Sequence, residues 1–180
     1  MKTALRVLTY LSFVPCLAFA DVPANQAPKP GPEVQKLAYY VGSWTGEGET
    51  KGGPLGPAGK LSSKQTCKWF TGGFQVICEG EETGPTGTRS FLNVLGYDPE
   101  AKSYTQYSVS SLGESEDDRG GNWTGDKLIF IMNQDAGADH VQIRYTEEHL
   151  SPTLYSYKAE AAVNGGPWAV IATGRITKVK

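Results

Sequence analysis

The stretch Val41-Gly42-Ser43-Trp44-Thr45-Gly46-Glu47-Gly48 constrains this chain most. A short amphipathic lead-in, Pro32 to Tyr40, runs straight into it, and every strand-like segment follows it. Pro32 suits a first helical turn. Val34, Leu37, Ala38 and Val41 then share one stripe at helical spacing, which would cap one end of a barrel. A Gly-x-Trp on the first strand of an all-β chain places one large ring where the barrel floor closes. Its small neighbours let other backbone come near that ring.

After Trp44 the pattern changes to period two, broken by turn signals at short intervals. Lys51 to Lys60 (KGGPLGPAGK) reads as a loop. Leu61 to Phe70 and Phe74 to Glu82 read as strands around Gly72-Gly73, and a tight turn there makes paired residue numbers sum to 145. In that register Cys67 faces Cys78 and Trp69 faces Val76 on one side. Lys64 faces Glu81 and Thr66 faces Glu79 on the other. The two cysteines are thereby placed for a disulfide, the alternative being two thiols opposed by chance.

Thr88 to Tyr97, Tyr104 to Ser110, Arg119 to Trp123 and Lys127 to Met132 continue the series. Alternating segments around Val141 to Thr146 and Tyr155 to Ala161 follow, and Asn164-Gly165-Gly166 turns the chain into Trp168 to Thr177. Acidic Glu114 to Asp118 and the stretch Asn133 to Asp139 read as connections. The total is about ten short antiparallel strands, the meander expected of an up-and-down barrel. Gly42-Ser43-Trp44-Thr45-Gly46 echoes in Gly121-Asn122-Trp123-Thr124-Gly125, and nothing around it repeats.

Ahead of the barrel, Lys2 and Arg6 precede an apolar run, Val7 to Leu17, and Ala18-Phe19-Ala20 offers small-x-small residues to a signal peptidase. The sequence therefore predicts export to the periplasm or the medium, with Asp21 as the mature terminus. Pro15 before Cys16 argues against a lipidated cysteine. Asp21 to Gly31 reads as a disordered, Pro-rich tether, and residues 32–180 as one domain. The mature chain holds 15 basic and 19 acidic residues, with no basic cluster, which argues against nucleic acid or an anionic membrane as partner. The apolar run is too short for a membrane anchor. Two cysteines remain, an even count that suits an exported disulfide protein.

Leu37 to Gly48 resembles the opening of calycin-type barrels, the group that includes lipocalins and fatty-acid-binding proteins. The Gly42-x-Trp44 start, the Gly72-Gly73-Phe74 hairpin, and Gly96-Tyr97-Asp98-Pro99 followed by Lys102-x-Tyr104 resemble domain-of-unknown-function family 1579. That resemblance implies a lipocalin-like barrel and no particular activity. It also implies that a basic residue of the last strand packs over Trp44, a role that falls to Arg175. Gly42-x-Trp44-x-Gly46-x-Gly48 is similar to the start of nitrobindin-like haem barrels as well. Those hold haem through a histidine near the C-terminus, and this chain has none after His149, so no cofactor is expected.

Nucleophilic catalysis has little support: there is no Gly-x-Ser-x-Gly elbow and only two histidines exist. His149 reads as the solvated end of a strand. Asp135, Asp139 and His140 form the most metal-like cluster, yet match no calcium loop or zinc helix, and read as a polar hairpin loop. No catalytic or metal residue is assigned. The positive signal is aromatic. Tyr107, Tyr145, Tyr155 and Tyr157 lie among Val, Ile and Ala, and if they point inward they give an apolar lumen with hydroxyl handles for a small apolar or amphipathic ligand. The alternatives are an enzyme using His140 or His149 with a carboxylate, and a structural envelope protein with a filled barrel. The oligomeric state is left open.

Overall fold

The computed structural model describes residues 28–53 and 56–179. The expected signal peptide, Met1 to Ala20, and residues 21–27 of the expected tether lie outside them. A helical turn, α1 (Pro32–Gln35), passes into a 3-10 turn (Lys36–Tyr40). Ten strands follow: β1 (Gly42–Gly53), β2 (Gly56–Trp69), β3 (Val76–Gly84), β4 (Gly87–Asp98), β5 (Ser103–Ser110), β6 (Ser115–Thr124), β7 (Lys127–Ala136), β8 (Asp139–Ser151), β9 (Leu154–Val163) and β10 (Ala169–Lys178). Each pairs antiparallel with its neighbours in the chain, and β1 closes on β10 to complete the barrel.

The β2–β3 hairpin has the register read from its sequence, from Ser62↔Thr83 to Trp69↔Val76. Gly72 and Gly73 make this possible, with φ of +94° and +74° that a side chain would oppose. Cys67 and Cys78 sit opposite each other, bonded, with Cα atoms 4.0 Å apart. On the outer face, Lys64 pairs with Glu81 at 2.8 Å.

Three stretches expected to be loops are largely strand. β1 and β2 pair as far as Gly53↔Gly56, so most of Lys51 to Lys60 is in the sheet. Asn133 to Ala136 continues β7, and Ser115 to Asp118 begins β6. In each case pairing to a neighbouring strand overrides polar composition, which carries little information about strand length.

The lead-in packs differently from its expected stripe. Val34, Leu37 and Tyr40 are buried, while Ala38 is exposed. From Lys36 the turn is 3-10, with three residues per turn, so positions three apart face the barrel together. This brings Tyr40 under the floor, where its carbonyl accepts a hydrogen bond from Trp44 Nε1 at 2.6 Å. Trp44 is 1% exposed, at the centre of a floor cluster with Leu37, Tyr40, Val76, Tyr104, Tyr155 and the disulfide. A smaller cluster of Val141, Ile143 and Ala161, with Met132, Val163 and Ile171 against it, fills part of the opposite end.

The expected partner of Trp44 is wrong. Arg175 is exposed and faces outward, opposite Glu47. Lys178, opposite Trp44 in the β1–β10 register, holds its Nζ 4.9 Å from the Trp44 ring and donates to the Tyr39 carbonyl at 3.3 Å. Alternation decides this: Ile176 is buried, so 178 shares its inward face and 175 does not.

β6 and β7 are joined less completely than their neighbours. They pair only over Asn122↔Ile129 to Thr124↔Lys127. Above that point β6 carries a bulge against β5, where the register shifts between Tyr104↔Gly121 and Gln106↔Asp118, and Gly120 has φ of +84°. A bulge bends its strand, and beyond it β6 leaves β7. Gln134 Nε2 spans the gap to Glu116 Oε1 at 2.7 Å.

Candidate functional site

The barrel encloses a cavity of about 380 Å³ that opens at the end opposite the helical cap. Its two sides differ. Strands β2, β4 and β5 supply Ser63, Gln65, Asn93, Gln106 and Ser108 among Leu61, Phe91, Leu95 and Val109. Strands β7 to β9 supply Phe130, Met132, Tyr145, Tyr155, Tyr157 and Ala159. The lumen is therefore amphipathic rather than apolar. The phase of β2 and β5 explains the polar wall: the face that carries Cys67 also carries Gln65 and Ser63, and the face that carries buried Tyr104 also carries Gln106 and Ser108.

Of the four tyrosines singled out in sequence, three meet in this space. Tyr145 and Tyr157 stack with centroids 5.9 Å apart, and Tyr155 lies between the cavity and the floor, 5% exposed. Tyr107 does not join them. It is 46% exposed on the outer face, one residue out of phase with Tyr104. Glycines make room for Tyr157, because a Cβ on Gly174 would stand 2.5 Å from its ring.

A carboxyl group sits at the bottom of the cavity. Glu147 of β8 is enclosed by protein except where it faces the lumen, and it accepts a hydrogen bond of 2.6 Å from the Tyr40 hydroxyl on Oε2. Burial pushes its pKa up to about 7, against the opposing pull of the Tyr40 hydrogen bond. Burial, and then the nearness of Glu147, raises the phenols of Tyr145 and Tyr155. Among the described residues, the Tyr40 hydroxyl is the one side-chain donor to Glu147, and it reaches Oε2.

Behind Tyr40 stands His149, whose Nε2 lies 3.4 Å from the Tyr40 hydroxyl. It is not the solvated strand end expected. Its ring stacks on Tyr39 at 3.6 Å and meets Trp123 edge-on at 4.7 Å. Burial lowers its pKa to about 4, against a smaller opposing influence of Asp126, so the ring is neutral above that. His149 is held within the floor and does not line the cavity. His140 lies far above it at the β7–β8 turn, exposed, its Nδ1 3.1 Å from Asp135 Oδ1. Asp139 instead accepts from Asn164 Nδ2 at 2.8 Å.

The mouth is acidic. Arg89 is the one basic residue lining the cavity among the described residues, and it is engaged twice, by Glu82 at 3.1 Å and Glu114 at 2.9 Å. Glu116 and Asp118 complete the rim beside the β6–β7 gap. Burial, with Glu116 and Asp117 nearby, pushes Asp118 up to about 6. Sequence reading missed Glu147 because it sits in a polar run, Thr146-Glu147-Glu148-His149. Counting by twos from Val141 through Ile143 and Tyr145 would have placed it inside.

Residues 29–117 match the family described as "Protein of unknown function (DUF1579)". No curated protein matches this chain in sequence at a significant level. Among solved structures, Rv2717c from M. tuberculosis aligns with a TM-score of 0.57 at 14% identity, over 84% of this chain and 100% of that one. The S-type phycobiliprotein lyase CPES from Guillardia theta aligns with a TM-score of 0.51 at 10% identity, over 81% of this chain and 92% of that one. At such identities the likeness of this barrel to both is one of fold.

Proposed function

We propose that this barrel is an exported binding protein that takes up one small amphipathic molecule in its lumen. The observation that carries this reading is the open cavity of about 380 Å³, lined by aromatic and aliphatic side chains with polar groups of β2, β4 and β5 among them. Its volume falls within the range of small-molecule sites. A filled barrel would leave no such space, and a purely structural role would not need a buried carboxyl at its base. Tyr145, Tyr155 and Tyr157 form the ligand's aromatic contacts, while Tyr107 is left out. Among the described residues no helix is long and apolar enough to cross a membrane, and the Cys67–Cys78 bond suits an oxidising compartment. Cleavage after Ala20 and a tether up to Gly31, with the barrel as the single folded unit, complete the proposal.

Titration with the neutral solvatochromic dye Nile red tests it. Wild-type protein should bind it one to one with a blue-shifted emission. Ala159→Phe, which fills the cavity from β9, should abolish the shift. Equal uptake by both proteins would place the dye on the outer surface and end this reading.

A second reading has one observation in its favour. Glu147, with a pKa of about 7 and a Tyr40–His149 chain behind it, has the protonation behaviour of a general acid–base group. A turnover that follows the ionisation of Glu147 and vanishes in Glu147→Gln would favour an enzyme over a carrier.

A further inference from the structure

We infer, on the reading that the lumen takes up a small amphipathic molecule, that the molecule it selects carries a protonated amine on an apolar or aromatic body. Three features of the cavity point to a cation, and each is independent of the volume that supports binding itself.

The first is the balance of charge along the path. Glu82, Glu114, Glu116, Asp118 and Glu147 line the cavity against Arg89 alone. Arg89 already gives its guanidinium to Glu82 and Glu114, so it has little left to offer an incoming anion. Low-dielectric walls lined by one sign of charge raise the local concentration of the opposite sign. A carboxylate ligand such as a fatty acid would meet repulsion at the rim and again at the base.

The second is the free oxygen of Glu147. Oε2 accepts from Tyr40, no side chain among the described residues donates to Oε1, and Glu147 lines the cavity. An ionised Glu147 has no basic partner among the described residues, a costly arrangement for a charge surrounded by protein. An ammonium group brought to Oε1 supplies the missing charge and a hydrogen-bond donor together.

The third is the company of that oxygen. Tyr145 and Tyr155 stand beside Glu147, Tyr40 lies below it, and Tyr157 stacks on Tyr145. Aromatic faces around a carboxylate are the surroundings in which an alkylammonium is held by ring quadrupoles as well as by charge. Phenol hydroxyls and the amides of Gln65 and Asn93 would serve a neutral ligand as well, but they do not explain the carboxylate.

Isothermal titration of the wild-type protein at pH 7.5 with three naphthalenes of one size tests the inference: 1-naphthylmethylamine, 1-naphthalenemethanol and 1-naphthoate. The amine should bind at least tenfold more tightly than the alcohol, and the naphthoate most weakly. Glu147→Gln should reduce the amine's advantage to less than threefold, with native folding checked by its near-ultraviolet circular dichroism. Equal affinities for all three, or a preference for the naphthoate, would overturn the cation preference while leaving lumen binding intact. Failure of all three to bind wild-type protein would overturn the binding reading, and this inference with it. If Glu147→Gln does not fold, the wild-type ranking decides the matter alone.

Discussion

Trp44 joins three parts of the molecule that are far apart in sequence. Its indole N–H reaches the Tyr40 carbonyl, its ring lies against Tyr39 and Tyr155, and Lys178 covers it from the last strand. Trp44→Ala should therefore cost about 3–5 kcal/mol, the loss expected of a large buried ring that leaves a cavity. Lys178→Ala should cost about 0.5–1.5 kcal/mol, from a partly solvated cation–π contact and one hydrogen bond. Arg175→Ala, outside the barrel, should fall within about 0.5 kcal/mol of wild type. Urea melts of the three variants check the order, and an Arg175 loss equal to that of Lys178 would contradict it. The role of Trp44 was legible in the sequence because Gly-x-Trp opens the strand series. Its partner was not, because choosing between 175 and 178 needs the strand's phase, and Gly174 gives no hydrophobic marker of which face is inward.

Glu147 and His149 make opposite demands on pH at the same scale. The folded state prefers Glu147 protonated, since its pKa is pushed up to about 7. Its favourable contribution is complete below the unfolded value near 4.3 and is lost as pH rises through 7. His149, lowered to about 4, prefers to be neutral. Its contribution is present above pH 6.5 and is lost as pH falls through 4. Relative to wild type, Glu147→Gln should thus gain stability between about pH 4.5 and 7.5, by at most about 3.7 kcal/mol. His149→Gln should show the reverse trend, gaining as the solution is acidified from pH 6.5 to 4. Chemical denaturation of each variant beside wild type at matched pH reads both slopes.

Among the elements, hairpin geometry was the most legible and phase along a strand the least. Gly72-Gly73 fixes a register that the cysteine pair and the Lys64–Glu81 pair both check, so three independent signals agree. Tyr107 had no such check. Val109 beside it looked like an inward neighbour, whereas buried Tyr104 and the bulge opposite it set the phase of β5. Ala38 and Tyr40 exchanged roles because a 3-10 turn has a different period from the α-helix assumed. The β6–β7 gap could not be read at all, since its acidic run has the composition of a loop. That gap leaves amide groups of Ser115 to Gly121 and Phe130 to Ala136 without partners across it. Hydrogen exchange should be fastest there among the strands, by at least tenfold over the β2–β3 hairpin. Uniform protection around the barrel would mean that the gap closes in solution.

At the scale of the whole molecule, one end of the barrel is sealed by aromatic packing and the other is left open over a lined cavity. The closed end depends on Trp44, Tyr40 and Leu37; Trp44, Leu37 and the meander were readable from residue spacing, whereas Tyr40 was not. The open end depends on which polar residues turn inward, and composition does not report that. The same division separates what stabilises the fold from what gives it a use. Binding a molecule at the base would link the two, because Tyr40 belongs to the floor and touches Glu147 in the lumen.

Native mass spectrometry of the protein purified from its own source bears most directly on whether the lumen is a container. The expected result is a bound mass of a few hundred daltons, one per chain, that is released on denaturation and absent from Ala159→Phe prepared in parallel. A wild-type spectrum showing only the bare chain, with the same Nile red response in both proteins, would contradict it.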